Sequence, residues 1–151
     1  MRNPNYTSWV KHVGPTGLEP VFGDASTGKP SLTGHVGDPA VIAHSENYHM
    51  YFSHLESKSI GVTVSPDGIS WGPGRELFKG EEWWSLIVKQ PFVIHHQHKF
   101  MMWYTGVQEI FMPEPISMLG FASSEDGVKW DRLIEPILRP EQTWEGTAVM
   151  C

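Results

Sequence analysis

Residues 38 to 55, DPAVIAHSENYHMYFSHL, align without a gap on residues 90 to 107, QPFVIHHQHKFMMWYTGV. Pro39 matches Pro91, Val41 and Ile42 match Val93 and Ile94, His44 matches His96, and Met50 matches Met102. Tyr48/Phe100, Tyr51/Trp103, Phe52/Tyr104 and Ser53/Thr105 keep their character. A second echo follows each copy: residues 65 to 71 read SPDGISW and residues 124 to 130 read SEDGVKW. One structural unit is therefore built twice, and every local reading must hold for both copies.

Each copy opens with a short apolar run, turns through a polar segment (SEN or QHK) and returns as an aromatic-rich run, the pattern of a hairpin of two buried strands. A third strand follows, in which Ile60, Val62 and Val64 alternate with Gly61, Thr63 and Ser65, and Leu119, Phe121 and Ser123 alternate with Gly120, Ala122 and Ser124. In the Ser-x-Asp-Gly-x-x-Trp phrase, Asp-Gly is expected to supply left-handed backbone for a tight turn, with the Ser or Asp side chain bonding turn amides. Trp71 and Trp130 are expected to start a fourth, outer strand running on to Glu76-Leu77-Phe78 and to Glu135-Pro136-Ile137-Leu138. The second unit is longer, and its insertion around VQEIFMPEPISM (107 to 118) carries two prolines, as an extended loop does.

Gly 15, Pro 12, seven Trp and the lack of long 3.6-period apolar faces place the chain in the all-β class. Four antiparallel strands recurring at roughly 50 to 60 residues are the grammar of a β-propeller blade. The predicted architecture is a single incomplete propeller domain: two complete blades, 38–89 and 90–145, with half blades at both termini. Trp9 followed by Glu19-Pro20-Val21-Phe22 echoes Trp130 followed by Glu135-Pro136-Ile137-Leu138, so residues 1–37 read as the outer strand of a preceding blade and its connection. Gly146 to Met150 line up with Asp38 to Ile42, so residues 146–151 read as the first strand of a following blade.

This order of segments, DPAVI, HMYFS and IGVTVSPDGISW, repeated as QPFVI, KFMMWYTG and LGFASSEDGVKW, resembles the five-bladed β-propeller glycosidases, glycoside hydrolase families 43, 32, 62 and 68, with the mannoside phosphorylases nearby. The resemblance spans about residues 9 to 151 and is more specific for the blade than for an activity. It implies acidic residues at one mouth of the propeller, presented by the first strands of successive blades. The first matches Asp38 of GDPAV, and the last matches Glu145 of WEGTAV. The middle acid does not carry over, because Gln90 of KQPFV stands in its place. A pair of carboxyls so placed would act as general acid and general base, or as acid and nucleophile, on a glycosidic bond. One must hold its proton while the other stays ionised.

Beside that reading stand plainer ones. Asp38 before Pro39 is also a common turn start. Trp83, Trp84 and Trp144 lie in connections leading into blade starts, where aromatic faces stack on sugars or pack between blades, and the resemblance makes Trp84, Trp144 and Gln90 the substrate-binding candidates. The Ser-x-Asp-Gly-x-x-Trp phrase is similar to the Asp-box of sialidases with one residue fewer, and reads as a structural turn. In HHQH (95 to 98), adjacent strand residues point to opposite faces, so His95 and His96 do not share a metal ion, and no metal or other cofactor is expected.

A net charge of -6 and a pI near 5.7, with no cluster of Lys or Arg, exclude a nucleic-acid partner. No run approaches the roughly 20 apolar residues of a membrane span, and MRNPNYTSWVKHVG lacks the apolar core of a signal peptide, so no membrane partner and a cytoplasmic location are expected. Cys151 is the sole cysteine, which precludes an intrachain disulfide. Five blades need on the order of 280 residues, so the chain reads as about half a propeller, either truncated or closed by association into a homo-oligomer, a dimer favoured. Three functions stay open: a glycosidase, a carbohydrate-binding protein without catalysis, and a structural or oligomerisation module.

Overall fold

The computed structural model describes Phe22, residues 35–108 and residues 115–151. The outer strand expected within residues 9–22, apart from Phe22, and half of the insertion loop, 109–114, lie outside the described residues. Two four-stranded antiparallel sheets follow one another along the chain. The first contains β1 (Val36–His44), β2 (Asn47–His54), β3 (Ser59–Ser65) and β4 (Arg75–Lys79), paired in chain order. The second contains β5 (Ile87–His96), β6 (Lys99–Val107), β7 (Ser117–Ser124) and β8 (Asp131–Arg132), again in order. Each is one blade. A single short 3-10 turn, Thr143–Glu145, is the only helical element among the described residues.

The first hairpin of each blade closes through two left-handed residues, Ser45 and Glu46 in one and Gln97 and His98 in the other. Two consecutive positive φ angles are the geometry that matches the right-handed twist of the flanking strands. Neither pair contains glycine, so the hairpins accept a local cost that the ladders on either side outweigh. In the first, Asn47 Nδ2 donates to the Ser45 carbonyl at 3.1 Å.

The Ser-x-Asp-Gly-x-x-Trp phrases correct two expectations. Only the glycines are left-handed, with φ of 75° at Gly68 and 72° at Gly127. The aspartates instead fold the turn with their carboxylates: Asp67 Oδ1 accepts the amides of Ile69 and Ser70 at 2.8 and 2.6 Å, and Asp126 Oδ1 accepts those of Val128 and Lys129, both at 2.8 Å. Ser65 and Ser124 Oγ receive the glycine amides at 2.8 and 2.9 Å. Trp71 does not begin β4, which starts at Arg75, and Trp130 only abuts the two-residue β8. The stretch expected to be outer strand at 135–138 touches β7 through one isolated bridge, Leu119 to Leu138, because Pro136 has no amide for a ladder.

The core lies between the sheets. Tyr51, Ile60 and Val62 of the first pack with Val88, Val93, Phe100, Met102, Tyr104, Met118 and Ala122 of the second and with Trp84 of the connection. Arg132 of β8 reaches back across this seam: it donates to the Lys79 carbonyl at 2.8 Å and to Glu82 Oε2 at 3.1 Å, and its guanidinium lies 5.0 Å over the Phe78 ring. Tyr104 is buried alongside, and desolvation, reinforced by Glu82, pushes its phenol up to about 12.

Candidate functional site

Both blades begin with the same backbone device. The β1–β2 register slips between Gly37 and Ala40, and the β5–β6 register slips between Lys89 and Phe92. Within each slip sits an X-Pro pair, and X is left-handed: φ is 51° at Asp38 and 54° at Gln90. A bulge re-aims a side chain out of the strand's alternation, and bulges with non-glycine residues at positive φ concentrate where a side chain has a job. Ser53 of β2 ties the two together. Its fully buried hydroxyl donates to Asp38 Oδ2 at 2.8 Å and accepts the Gln90 amide at 2.7 Å. The Asp38 carboxylate thus has one oxygen oriented by a buried partner while the residue remains exposed. The Gln90 side-chain Oε1 is enclosed and has no hydrogen-bond partner.

The second blade repeats the tie. Thr105, the counterpart of Ser53, accepts the amide of Cys151 at 3.0 Å. A second pair of bonds has the same register. Val88 donates to the Lys58 carbonyl at 3.3 Å, seven residues before Ser65, and Val149 donates to the Ser117 carbonyl at 3.0 Å, seven residues before Ser124. Both relationships put Val149 in the place of Val88 and Cys151 in the place of Gln90 and Asp38. This corrects the alignment of Gly146 on Asp38: by register the positions equivalent to Asp38 are Gln90 and Cys151, so the three are an acid, an amide and a thiol.

Glu145 therefore falls six residues ahead of its blade start. Its carboxylate Oε2 accepts the amides of Glu141 and Gln142, both at 2.7 Å, and these bonds hold it below the usual carboxylate range. It is an ionised cap of the 3-10 turn and lines an open depression of about 310 Å³ with Leu138, Arg139 and Gln142. Among the described residues nothing connects it to Asp38 or Gln90.

The tryptophans separate by the same register, in which Trp83 corresponds to Trp144. Trp144 is 82% exposed and Trp83 50% exposed, so both offer a ring face. Trp84 is 0% exposed, stacks on Tyr104 at 6.1 Å and 19°, and donates Nε1–H to the Ile134 carbonyl at 2.7 Å. It has no face left for a ligand, which corrects its place among the binding candidates: it is a packing residue between blades. Among the described residues no group of three His, Cys, Asp or Glu side chains is placed to hold a metal ion. Residue-by-residue reading missed Ser53 and Cys151. The signal for Ser53 was its hydroxyl-for-hydroxyl match with Thr105.

No family model matches the sequence, and no curated protein matches it. Solved structures do match the fold. A thermostable family-43 glycoside hydrolase superposes with a TM-score of 0.59 at 21% identity, over 70% of this chain and 34% of its own. The arabinanase Arb43A of Bacillus subtilis gives 0.55 at 20%, over 68% of this chain and 38% of its own. The GH32 β-fructofuranosidase BmSUC1 of Bombyx mori gives 0.59 at 17%, over 70% and 24%. The two sheets thus share the propeller-blade fold of these structures, and the chain spans between a quarter and two fifths of the length of these proteins.

Proposed function

We propose that the chain is part of a propeller that takes a carbohydrate at the mouth formed by its blade starts, with Asp38 as the acidic contact and Gln90 beside it. The observation that carries this reading is the Asp38–Ser53–Gln90 link, a buried bridge that aims a carboxylate out of a strained bulge at the first strand of a glycosidase-type blade. The similar structures described as an arabinanase and a β-fructofuranosidase favour a sugar ligand.

Binding without hydrolysis is the form of this function that the residues favour. Glycoside hydrolysis by paired carboxylates needs two acids flanking one bond, one of them protonated. Of the three equivalent residues that this chain supplies only Asp38 is a carboxylic acid, and Glu145 is spent on two backbone amides. Trp144 and Trp83 supply exposed rings for stacking. Titration of arabino-, manno- and fructo-oligosaccharides against intrinsic Trp fluorescence, with product analysis on the same samples, tests both halves of the statement. Saturable quenching without product supports it; released sugar contradicts the non-catalytic form, and an inert titration contradicts the site.

Homo-oligomerisation belongs to the same proposal. Phe92 is 55% exposed and lies with Trp103 and Phe121 on the sheet face whose counterpart in the first blade, Ala40, Tyr51 and Val62, is covered by the second blade. A second copy would cover it in the same way, as closed assemblies do. Light scattering at micromolar concentration reads the outcome, and a monodisperse monomer removes this part.

A further inference from the structure

Strands β1 and β5 carry the blade starts at one end and histidines at the other. His44, the last residue of β1, faces His95 of β5 across the seam between blades, with ring centroids 4.5 Å apart and planes at 63°. The same ring meets Phe100 of β6 at 4.8 Å and His49 of β2 at 5.8 Å. Phe100 is fully buried and touches His95 at 4.5 Å and His49 at 6.4 Å. Three imidazoles from both blades therefore surround one buried phenyl ring.

Edge-to-face contacts of neutral rings are attractive. A single imidazolium over Phe100 would still gain a cation–π contact, but a second one 4.5 Å away sets like charges against each other beside a fully buried ring, with His44 and His49 half-buried and His95 exposed. The surrounding charges add to the difficulty. Arg75 of β4 acts on His49, and His96 and His98 act on His95 from the tip of the β5–β6 hairpin. Two acids lie on this side: Asp126 acts on Tyr51 but has its Oδ1 engaged by Val128, Lys129 and Ser124, and Glu46 is exposed in the β1–β2 turn, two residues from His44 and lining the same depression. Among the described residues no ion pair joins His44, His49 or His95 to a carboxylate, whereas His35 lies 3.5 Å from Glu56. Burial, then His44 and Arg75, holds His49 below the ordinary imidazole value of 6.5, and desolvation, then His44, His98 and His96, does the same for His95.

We propose that His44, His49 and His95 form an acid-sensitive seam between the two blades, closed while the rings are neutral and loosened by protonation, so that the spacing of the blade starts at the other end of β1 and β5 responds to pH. The sign follows from linkage. A base that is harder to protonate folded than unfolded contributes stability that is complete above its unfolded value near 6.5 and declines as the pH falls below it. The inference stands whether or not the mouth takes a sugar.

The full chain provides its own reporter, because Trp130 lies 5.7 Å from Tyr51 and 6.5 Å from Phe100. Thermal unfolding followed by Trp fluorescence from pH 7.5 to 5 should show the midpoint falling by about 3 °C, the shift expected for a domain of this size when a modest stabilising interaction is lost. The double variant His44→Gln/His95→Gln should lose most of that pH dependence, and the exposed control His35→Gln should keep it. An unchanged fall in the double variant overturns the proposal. If that variant does not fold, imidazole proton NMR titration of the wild type decides: His49 and His95 midpoints below 6.5 support the seam, and midpoints at or above 6.5 overturn it.

Discussion

Asp38 and Gln90 stand at the starts of different blades and share one hydroxyl: Ser53 Oγ–H donates a hydrogen bond to the Asp38 carboxylate at 2.8 Å, and its oxygen accepts one from the Gln90 amide at 2.7 Å. One buried oxygen thereby orients the acid and joins the two blades.

Ser53→Ala should cost about 1–3 kcal/mol in urea unfolding, because it leaves the Gln90 amide without its partner in a partly buried place. Ser53→Thr should cost less, since Thr105 makes the equivalent bond to Cys151 in the next blade. Equal losses in the two variants would show that packing, and not the hydroxyl, matters there.

Trp84 and Trp144 should behave oppositely. Trp84→Ala removes a fully buried ring and should destabilise by about 3–5 kcal/mol. Trp144→Ala, at an exposed position, should change stability by less than about 0.5 kcal/mol while weakening the response to added oligosaccharide. Denaturation curves and sugar titrations of both variants check this, and a sugar response that survives Trp144→Ala unchanged would remove that ring from the site.

Arg132 closes the outer end of the inter-blade seam. Both it and Glu82 have side chains only 14% exposed, so the pair is shielded, and Arg132→Ala should cost about 2–4 kcal/mol by leaving the Glu82 carboxylate without its cation, with only the Ser85 hydroxyl and the Glu81 amide as donors. Lysine cannot reproduce two donors on one planar group, so Arg132→Lys should recover only part of the loss. The exposed Arg132–Glu81 contact contributes little, and Glu81→Ala should be nearly silent.

The two turns at Asp67 and Asp126 should make the protein acid-labile. Backbone amides hold both carboxylates below their ordinary value of 3.8, so their contribution is complete above that value and is lost as the pH falls through the lower, folded-state values. The double variant Asp67→Ala/Asp126→Ala should therefore show a flatter stability profile below pH 4 than the wild type, measured by chemical denaturation at fixed pH steps. A parallel profile would contradict the assignment.

Strand order and hairpin positions were legible because alternation and aromatic runs repeat, and each copy checks the other. What the sequence concealed depends on atoms brought together from distant positions. Nothing local marks Asp38 and Gln90 as left-handed, since the bulge comes from the pairing of β1 with β2 and of β5 with β6. Trp83 and Trp84 are adjacent and chemically identical, and only the turn before β5 decides which one is buried. The register of the third blade start could not be read from six terminal residues; it emerged from the amides of Val149 and Cys151. Glu145 looked like an acid for chemistry because its nearest bonds, to Glu141 and Gln142, leave no trace in composition or spacing.

Calorimetric titration of the full chain and of Asp38→Asn with arabino-, manno- and fructo-oligosaccharides, with the products analysed, tests the mouth most directly. The account predicts saturable binding of at least one of them, weakened about tenfold or more in Asp38→Asn as expected for loss of a charged hydrogen-bond partner, with no sugar released. Undiminished binding by Asp38→Asn, or hydrolysis by the wild type, would contradict it.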